Sequence, residues 1–352
     1  MSMNTEKQLI EDLIKKIVDC PNVSDNYLKL GNIYFSNNEF ELAYHVYESL
    51  LNIEPDNYIA LTNLGSICFI NNNFKQAVNF YSRAANLDVD NLSVYFNLGN
   101  AFAELGEFKQ AMSNYIKALN MDKNNYQVYS AIAMLYQDKK NYDEAIIYYE
   151  KALKLSKNIP DNYINLALVL MKIGKNGTAA ELFEDAIKLD DKNYTYKLYC
   201  ANAYSADKNY IKANNLFEDV INSNPDFYQG YICYGISLYE QNEVENSIDM
   251  YNRAIEISPN SINAYMLLGN LYSSEQKFED AVNIYKKIIE LQPANSSAYT
   301  LLGNTYVMLK DLRSAISVYK QAVDIDSDND EIKLIYIDII QEYLKNRQNS
   351  EE

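Results

Sequence analysis

The chain repeats itself every 34 residues, and this period constrains its fold more than any other feature. With position 1 of the first unit at Ser24, later units begin at Tyr58, Leu92, Tyr126, Pro160, Tyr194, Tyr228, Ile262 and Ser296. Nine units run from 24 to 329 with no insertion or deletion. Position 8 reads Gly31, Gly65, Gly99, Ala133, Ala167, Ala201, Gly235, Gly269 and Gly303. Position 20 is Ala in every unit except for Ser247, and position 24 is always Tyr or Phe. A period of this length means one supersecondary unit stacked on copies of itself, so the array is a single structural object however long it grows.

Within a unit, positions 4, 7, 8 and 11 follow the i, i+3, i+4, i+7 spacing of one helix face. Positions 20, 24 and 27 mark the matching face of a second helix. Small residues at 8 and 20 let the two helices approach closely, and the aromatics at 4, 11 and 24 fill the space around that contact. Position 15 is often Gly or Asn (Asn38, Asn72, Gly106, Gly174, Asn242), residues that tolerate the left-handed backbone ending a helix. Pro55, Pro225, Pro259 and Pro293 at position 32 follow the end of the second helix. The pattern predicts an all-α solenoid of antiparallel helix pairs.

An open stack exposes apolar faces at both ends. Residues 1–23, with Leu9/Ile10, Leu13/Ile14 and Ile17/Val18 between charges, predict an amphipathic N-terminal capping helix. Residues 330–352 predict a C-terminal capping helix and tail, with Ile332, Ile335, Tyr336, Ile339, Ile340 and Tyr343 on the packing side. Leu334 and Ile337 fall off that side, which leaves either self-association through the terminal helices or plain extra packing.

A net charge of −17 opposes nucleic acid, which calls for a basic footprint, and an anionic membrane surface. It permits a basic partner. No stretch approaches the roughly 18 apolar residues of a membrane span, and "MSMNTEKQLIEDLIKKIVDC" has no signal-peptide core. Cys20, Cys68, Cys200 and Cys233 show no CxxC or zinc spacing and read as small core residues in a reducing, cytoplasmic setting. The 33 Tyr, the absence of Trp and the abundance of Asn, Ile and Lys follow AT-rich codon use.

His45 is the one histidine, at position 22 of a second helix. P-loop, GxGxxG, HExxH and GxSxG patterns do not occur, so no catalytic residue, metal ligand or cofactor is expected. The stretch "DIDSDNDEI", with Asp324, Asp326, Asp328 and Asp330, alternates acids as a calcium loop does. Asn329 replaces the turn Gly and Ile335 stands where the bidentate Glu belongs, so the stretch reads as an inter-repeat turn and helix cap. It recurs in weaker form as "LDVDN" at 87–91.

The columns resemble the tetratricopeptide repeat (TPR), and the superhelical arrangement implied is similar to the TPR domain of O-linked GlcNAc transferase. The resemblance implies a right-handed superhelix whose first helices line a concave surface that binds protein or peptide partners, without catalysis. Units four to six depart with Ala at position 8, and Lys197 replaces the usual aromatic at position 4, so looser packing is expected there. Family ligand contacts come mainly from positions 2, 5, 6, 9, 12 and 13. Position 9 is Asn32, Asn100, Asn202, Asn270 and Asn304, five of nine, where 45 Asn in 352 residues predict about one. Position 6 adds Asn63, Asn97 and Asn165. Carboxamides can pair with the backbone of an extended peptide. Met134, Ile164, Leu168, Met171, Leu198, Ile232, Ile236 and Tyr239, at positions 5, 9 or 12, form an apolar strip. It serves either a partner or the packing between neighbouring first helices.

The carboxylate clamp that some members use for acidic chaperone tails is absent, since positions 2 and 5 carry no Lys and Lys29 is the only base at position 6. The expected function is a non-catalytic protein- or peptide-binding scaffold. Its alternatives are the recognition arm of a glycosyltransferase whose catalytic domain lies elsewhere, and a structural oligomer.

Overall fold

The computed structural model describes residues 3–87 and 91–351. The acids Asp88 and Asp90 of "LDVDN" lie outside them. Among the described residues there are twenty α-helices and no strand. Helix α1 is Met3–Asp19. The first helices of successive pairs are α2 (Ser24–Ser36), α4 (Tyr58–Ile70), α6 (Leu92–Glu104), α8 (Tyr126–Asp138), α10 (Pro160–Lys172), α12 (Tyr194–Ala206), α14 (Tyr228–Glu240), α16 (Ile262–Ser274) and α18 (Ser296–Met308). The second helices are α3 (Phe40–Ile53), α5 (Phe74–Ala85), α7 (Phe108–Met121), α9 (Tyr142–Leu155), α11 (Asn176–Leu189), α13 (Tyr210–Ser223), α15 (Val244–Ile257), α17 (Phe278–Leu291) and α19 (Leu312–Ile325). The last helix, α20, is Asp330–Glu351. Every first helix therefore begins at position 1 of a unit.

The chain divides into two compact units, Met1–Ile173 and Gly174–Glu352. Where both helices of a pair lie in one unit, the first packs on the second, and the second helix packs on the next first helix; α10, whose second helix falls in the other unit, packs on α9. Helix α1 packs on α2, and α20 packs on α19. On α20 the buried residues are Ile332 and Ile339, while Leu334 and Ile337 are exposed.

The contact between paired helices explains columns 8, 20 and 24 together. The ring of Tyr47 lies flat against Gly31, and a Cβ there would meet its Cε1 at 2.5 Å. Gly65, Gly99, Gly235 and Gly269 meet Tyr81, Tyr115, Tyr251 and Tyr285 in the same way, at 2.5 to 2.7 Å. The Ala residues at position 20 are completely buried. Ser247 replaces one of them and satisfies its hydroxyl by donating to the Gly235 carbonyl at 2.7 Å. Lys197, in an aromatic column, points its Nζ to Asp219 Oδ2 on α13 at 2.6 Å and leaves only 17% of its side chain exposed.

Position 15 has positive φ in all nine units, not only where Gly or Asn made it legible. Lys140, Lys208, Gln276 and Lys310 adopt φ of 58 to 62°, as Asn38, Asn72 and Asn242 do. The next first helix opens on a side-chain cap wherever the sequence supplies one. Asn57 Oδ1 accepts from Ala60 N at 2.9 Å, Asn125 from Val128 N at 3.1 Å and Asn295 from Ala298 N at 3.1 Å. The acidic stretch before α20 follows this rule: Asn329 Oδ1 accepts from Ile332 N at 3.2 Å, and its amide donates to Asp326 Oδ2 at 3.1 Å.

Candidate functional site

In the unit Met1–Ile173 the neighbouring first helices lie side by side, and the face they share holds a cavity of about 720 Å³. Helices α6, α8 and α10 supply most of its wall. It brings together three of the sequence-predicted residues, Asn100, Met134 and Asn165. Its aromatic surfaces are Phe69, Phe96, Tyr115 and Tyr126. Ser130 Oγ donates to Asn162 Oδ1 at 3.2 Å, and Asn162 Nδ2 donates to the Ser156 carbonyl at 3.0 Å. This buried carboxamide ties α10 to α8 beneath the site.

The Asn residues at position 9 have a partner inside their own unit. Tyr47 Oη donates to Asn32 Oδ1 at 2.7 Å, Tyr115 to Asn100 at 2.7 Å and Tyr285 to Asn270 at 2.9 Å, and Tyr319 donates to Asn304 in the same way. The phenol is buried against the helix pair and needs an acceptor. The next unit can join the pair: Asn63 Nδ2 donates to Tyr47 Oη at 2.8 Å and to Asn32 Oδ1 at 3.3 Å. Where position 9 is Ser66, its hydroxyl lies 3.0 Å from Tyr81 Oη. Tyr149 faces Met134 in that column and turns to Gln137 Oε1 at 3.1 Å. Asn202, in a unit whose position 24 is Phe217, instead hydrogen-bonds Cys233, a thiol whose pKa burial pushes up and this contact lowers.

Burial raises the pKa of these phenols. Tyr47, Tyr285 and Tyr319 are pushed up to about 12, with the Asn63 hydrogen bond partly opposing the shift at Tyr47. Tyr115 and Tyr149 are raised further. A neutral phenol is a steady donor, so it locks the Asn carboxamide with its oxygen turned inward. The two N–H groups of an Asn such as Asn100 are then the donors left over.

The apolar strip divides into exposed and buried residues. Met134, Ile236 and Tyr239 are exposed, and Leu168 and Met171 are half-buried. Ile164, Leu198 and Ile232 are buried to 6%, 5% and 1% exposure, which corrects the expectation that they line a surface. These three are packing residues, whereas Phe96 and Ser130, at the same position 5 of earlier units, line the cavity. Asn97 and Asn165 are half-buried, and Asn270 and Asn304 are exposed. Tyr239 Oη lies 3.2 Å from Ser274 Oγ of α16.

Sequence reasoning passed over Glu104, Asp138 and Asp161, which also line the cavity. Glu104 and Asp138 occupy position 13 of successive units, and Asp161 position 2 of the next, so their signal was the recurrence of acids at groove positions. Among the described residues no group of three or more His, Cys, Asp or Glu could hold a metal ion, and no helix is long and apolar enough to cross a membrane.

Sequence profiles described as tetratricopeptide repeat match residues 126–192 and 260–328, and 24–57 and 92–125. One described as TPR repeat matches 65–106 and 235–274. The chain is a tetratricopeptide repeat protein. Similar solved structures include YrrB, described as a TPR protein with an unusual peptide-binding site, at 19% identity over 53% of this chain and 96% of that one, TM-score 0.44. PilF of Pseudomonas aeruginosa is 20% identical over 57% and 92%, TM-score 0.49. Yeast Tom70 is 15% identical over 93% and 96%, TM-score 0.45. No curated protein sequence matches this TPR chain.

Proposed function

We propose that this TPR protein is a scaffold that binds a protein or peptide segment on the face of its first helices, without catalysis of its own. The observation that carries the reading is the cavity between α6, α8 and α10, where a phenol-locked Asn100 stands beside Met134 and Asn165. An extended segment offers a carbonyl at every residue, whatever its sequence. The N–H groups of Asn100 and Asn165 in the cavity, with those of half-buried Asn97 on α6 outside its lining, are suited to receive such carbonyls, and exposed Met134 adapts to varied side chains.

The test selects peptides from a displayed random library on the native chain and measures their affinity for Asn97→Ala/Asn100→Ala/Asn165→Ala. Each lost hydrogen bond is worth about 0.5–1.5 kcal/mol, so affinity should fall by roughly 2–4 kcal/mol, and by similar amounts for peptides of unrelated sequence. Full affinity in the triple variant, with helicity intact, would remove these Asn from the site.

A further inference from the structure

The charged residues lining the cavity are all of one sign. Glu104, Asp138 and Asp161 line it, and among the described residues no Lys, Arg or His does. Two of these acids stand in a position that costs stability. Glu104 is the last residue of α6 and Asp138 the last of α8; neither last turn holds a base, and Lys139, the C-cap of α8, does not line the cavity. A helix C-terminus carries roughly half a negative charge and favours a cation. Most helices of this chain likewise end without a base, and α9, α10 and α11, with Lys154, Lys172 and Lys188 in the last turn, are exceptions. What sets α6 and α8 apart is that their last residues are acids lining one cavity. Two helix ends and their terminal carboxylates therefore add their potentials in one cavity. Both carboxylates are near enough to the Tyr115 phenol to add to the upward push that burial gives its pKa.

The occupant is narrowed by size and by the walls. Among the described residues no three acids converge as a metal ion requires. The cavity is large, and Phe96 and Tyr126 offer aromatic faces on which an alkyl stem or a guanidinium can lie. Resting on the segment-binding reading above, we infer that this cavity is a specificity pocket for a lysine or arginine side chain of the bound segment. The Glu104 and Asp138 carboxylates receive its charge, and Asn100 and Asn165 hold the flanking backbone. Charge complementarity selects this occupant, since an acidic or purely apolar side chain would leave the carboxylates facing like charge or hydrocarbon.

The experiment uses the full chain and pools of short blocked peptides with degenerate flanks and a central Arg, Lys, citrulline or norleucine. Wild type should bind the Arg and Lys pools about tenfold or more tightly than the neutral pools, as expected of charge-assisted contacts. That preference should shrink as salt is raised. Glu104→Gln/Asp138→Asn should erase the preference while keeping the affinity for neutral pools and an unchanged or higher Tm. Equal binding of all four pools to wild type, or a preference that survives the double change, overturns the cation pocket and leaves the groove reading standing. Failure of every pool to bind wild type overturns both.

Discussion

Asparagine has three uses that recur at fixed repeat positions among the described residues, and each is set by a backbone or a phenol. It caps first helices at Asn57, Asn125 and Asn295. It takes the left-handed turn at Asn38, Asn72 and Asn242. It receives the buried Tyr hydroxyl at Asn32, Asn100, Asn270 and Asn304. Tyr115→Phe should therefore cost only about 0.5–1.5 kcal/mol, the net worth of one hydrogen bond. Gly99→Ala drives a Cβ to 2.5 Å from the Tyr115 ring and should cost about 1–3 kcal/mol through overpacking. Urea unfolding of both variants checks the order, and a Tyr115→Phe loss larger than that of Gly99→Ala would contradict it. The excess of Asn at position 9 was legible in the sequence, but its partner was not. A column read alone shows a carboxamide facing a groove. Its acceptor is claimed by a phenol fifteen residues later on the other helix of the pair, a pairing that emerges only when two columns are folded together.

At the scale of the element, the sequence carried the helix pairs almost completely, because small and aromatic residues recur wherever two helices touch. It carried the turns only in part. Gly106 and Gly174 advertise a left-handed residue, whereas Lys140, Lys208, Gln276 and Lys310 do not. There the register of the pair imposes the conformation on a residue that resists it by roughly 1–2 kcal/mol. Lys208→Gly should relieve part of that strain and raise stability by up to about 1 kcal/mol, after the extra flexibility that Gly gives the unfolded chain. A lower urea midpoint in Lys208→Gly would mean that the lysine side chain makes a contact worth more than the strain. The expectation of looser packing in units four to six did not include the ion pair of Lys197 with Asp219, since the acid lies on α13, one helix further along the chain. The cavity was legible as individual Asn and Met residues. Its acids went unread because a helix-terminal carboxylate resembles ordinary surface charge until two helix ends are seen to face one space.

At the scale of the whole molecule, the repeated phenol makes stability a function of alkaline pH in both units. Tyr47 lies in the unit Met1–Ile173, and Tyr285 and Tyr319 lie in Gly174–Glu352. Burial raises all three pKa values from 10.0 to about 12. The folded chain thus holds these protons more tightly than the unfolded chain. Their contribution is complete below the unfolded pKa of 10 and is lost as pH rises through about 12. The helical circular dichroism of both units should collapse in that window, together with the rise of tyrosinate absorbance. Tyrosinate forming in full while the helices persist would show that the phenols are not held as described. Two matched substitutions on different helices of one pair separate a partner on the first helices from one on the second. Met134 on α8 lines the cavity and is 54% exposed, and Ile147 on α9 lies outside it and is 49% exposed. Calorimetric titration of a library-selected peptide should show Met134→Asp weakening binding by about tenfold or more, as expected of a residue at the centre of a contact. Ile147→Asp should leave the affinity within about twofold of wild type, as a residue outside the contact would. Loss of binding in Ile147→Asp, with Met134→Asp unaffected, would place the partner on the second helices and contradict the account.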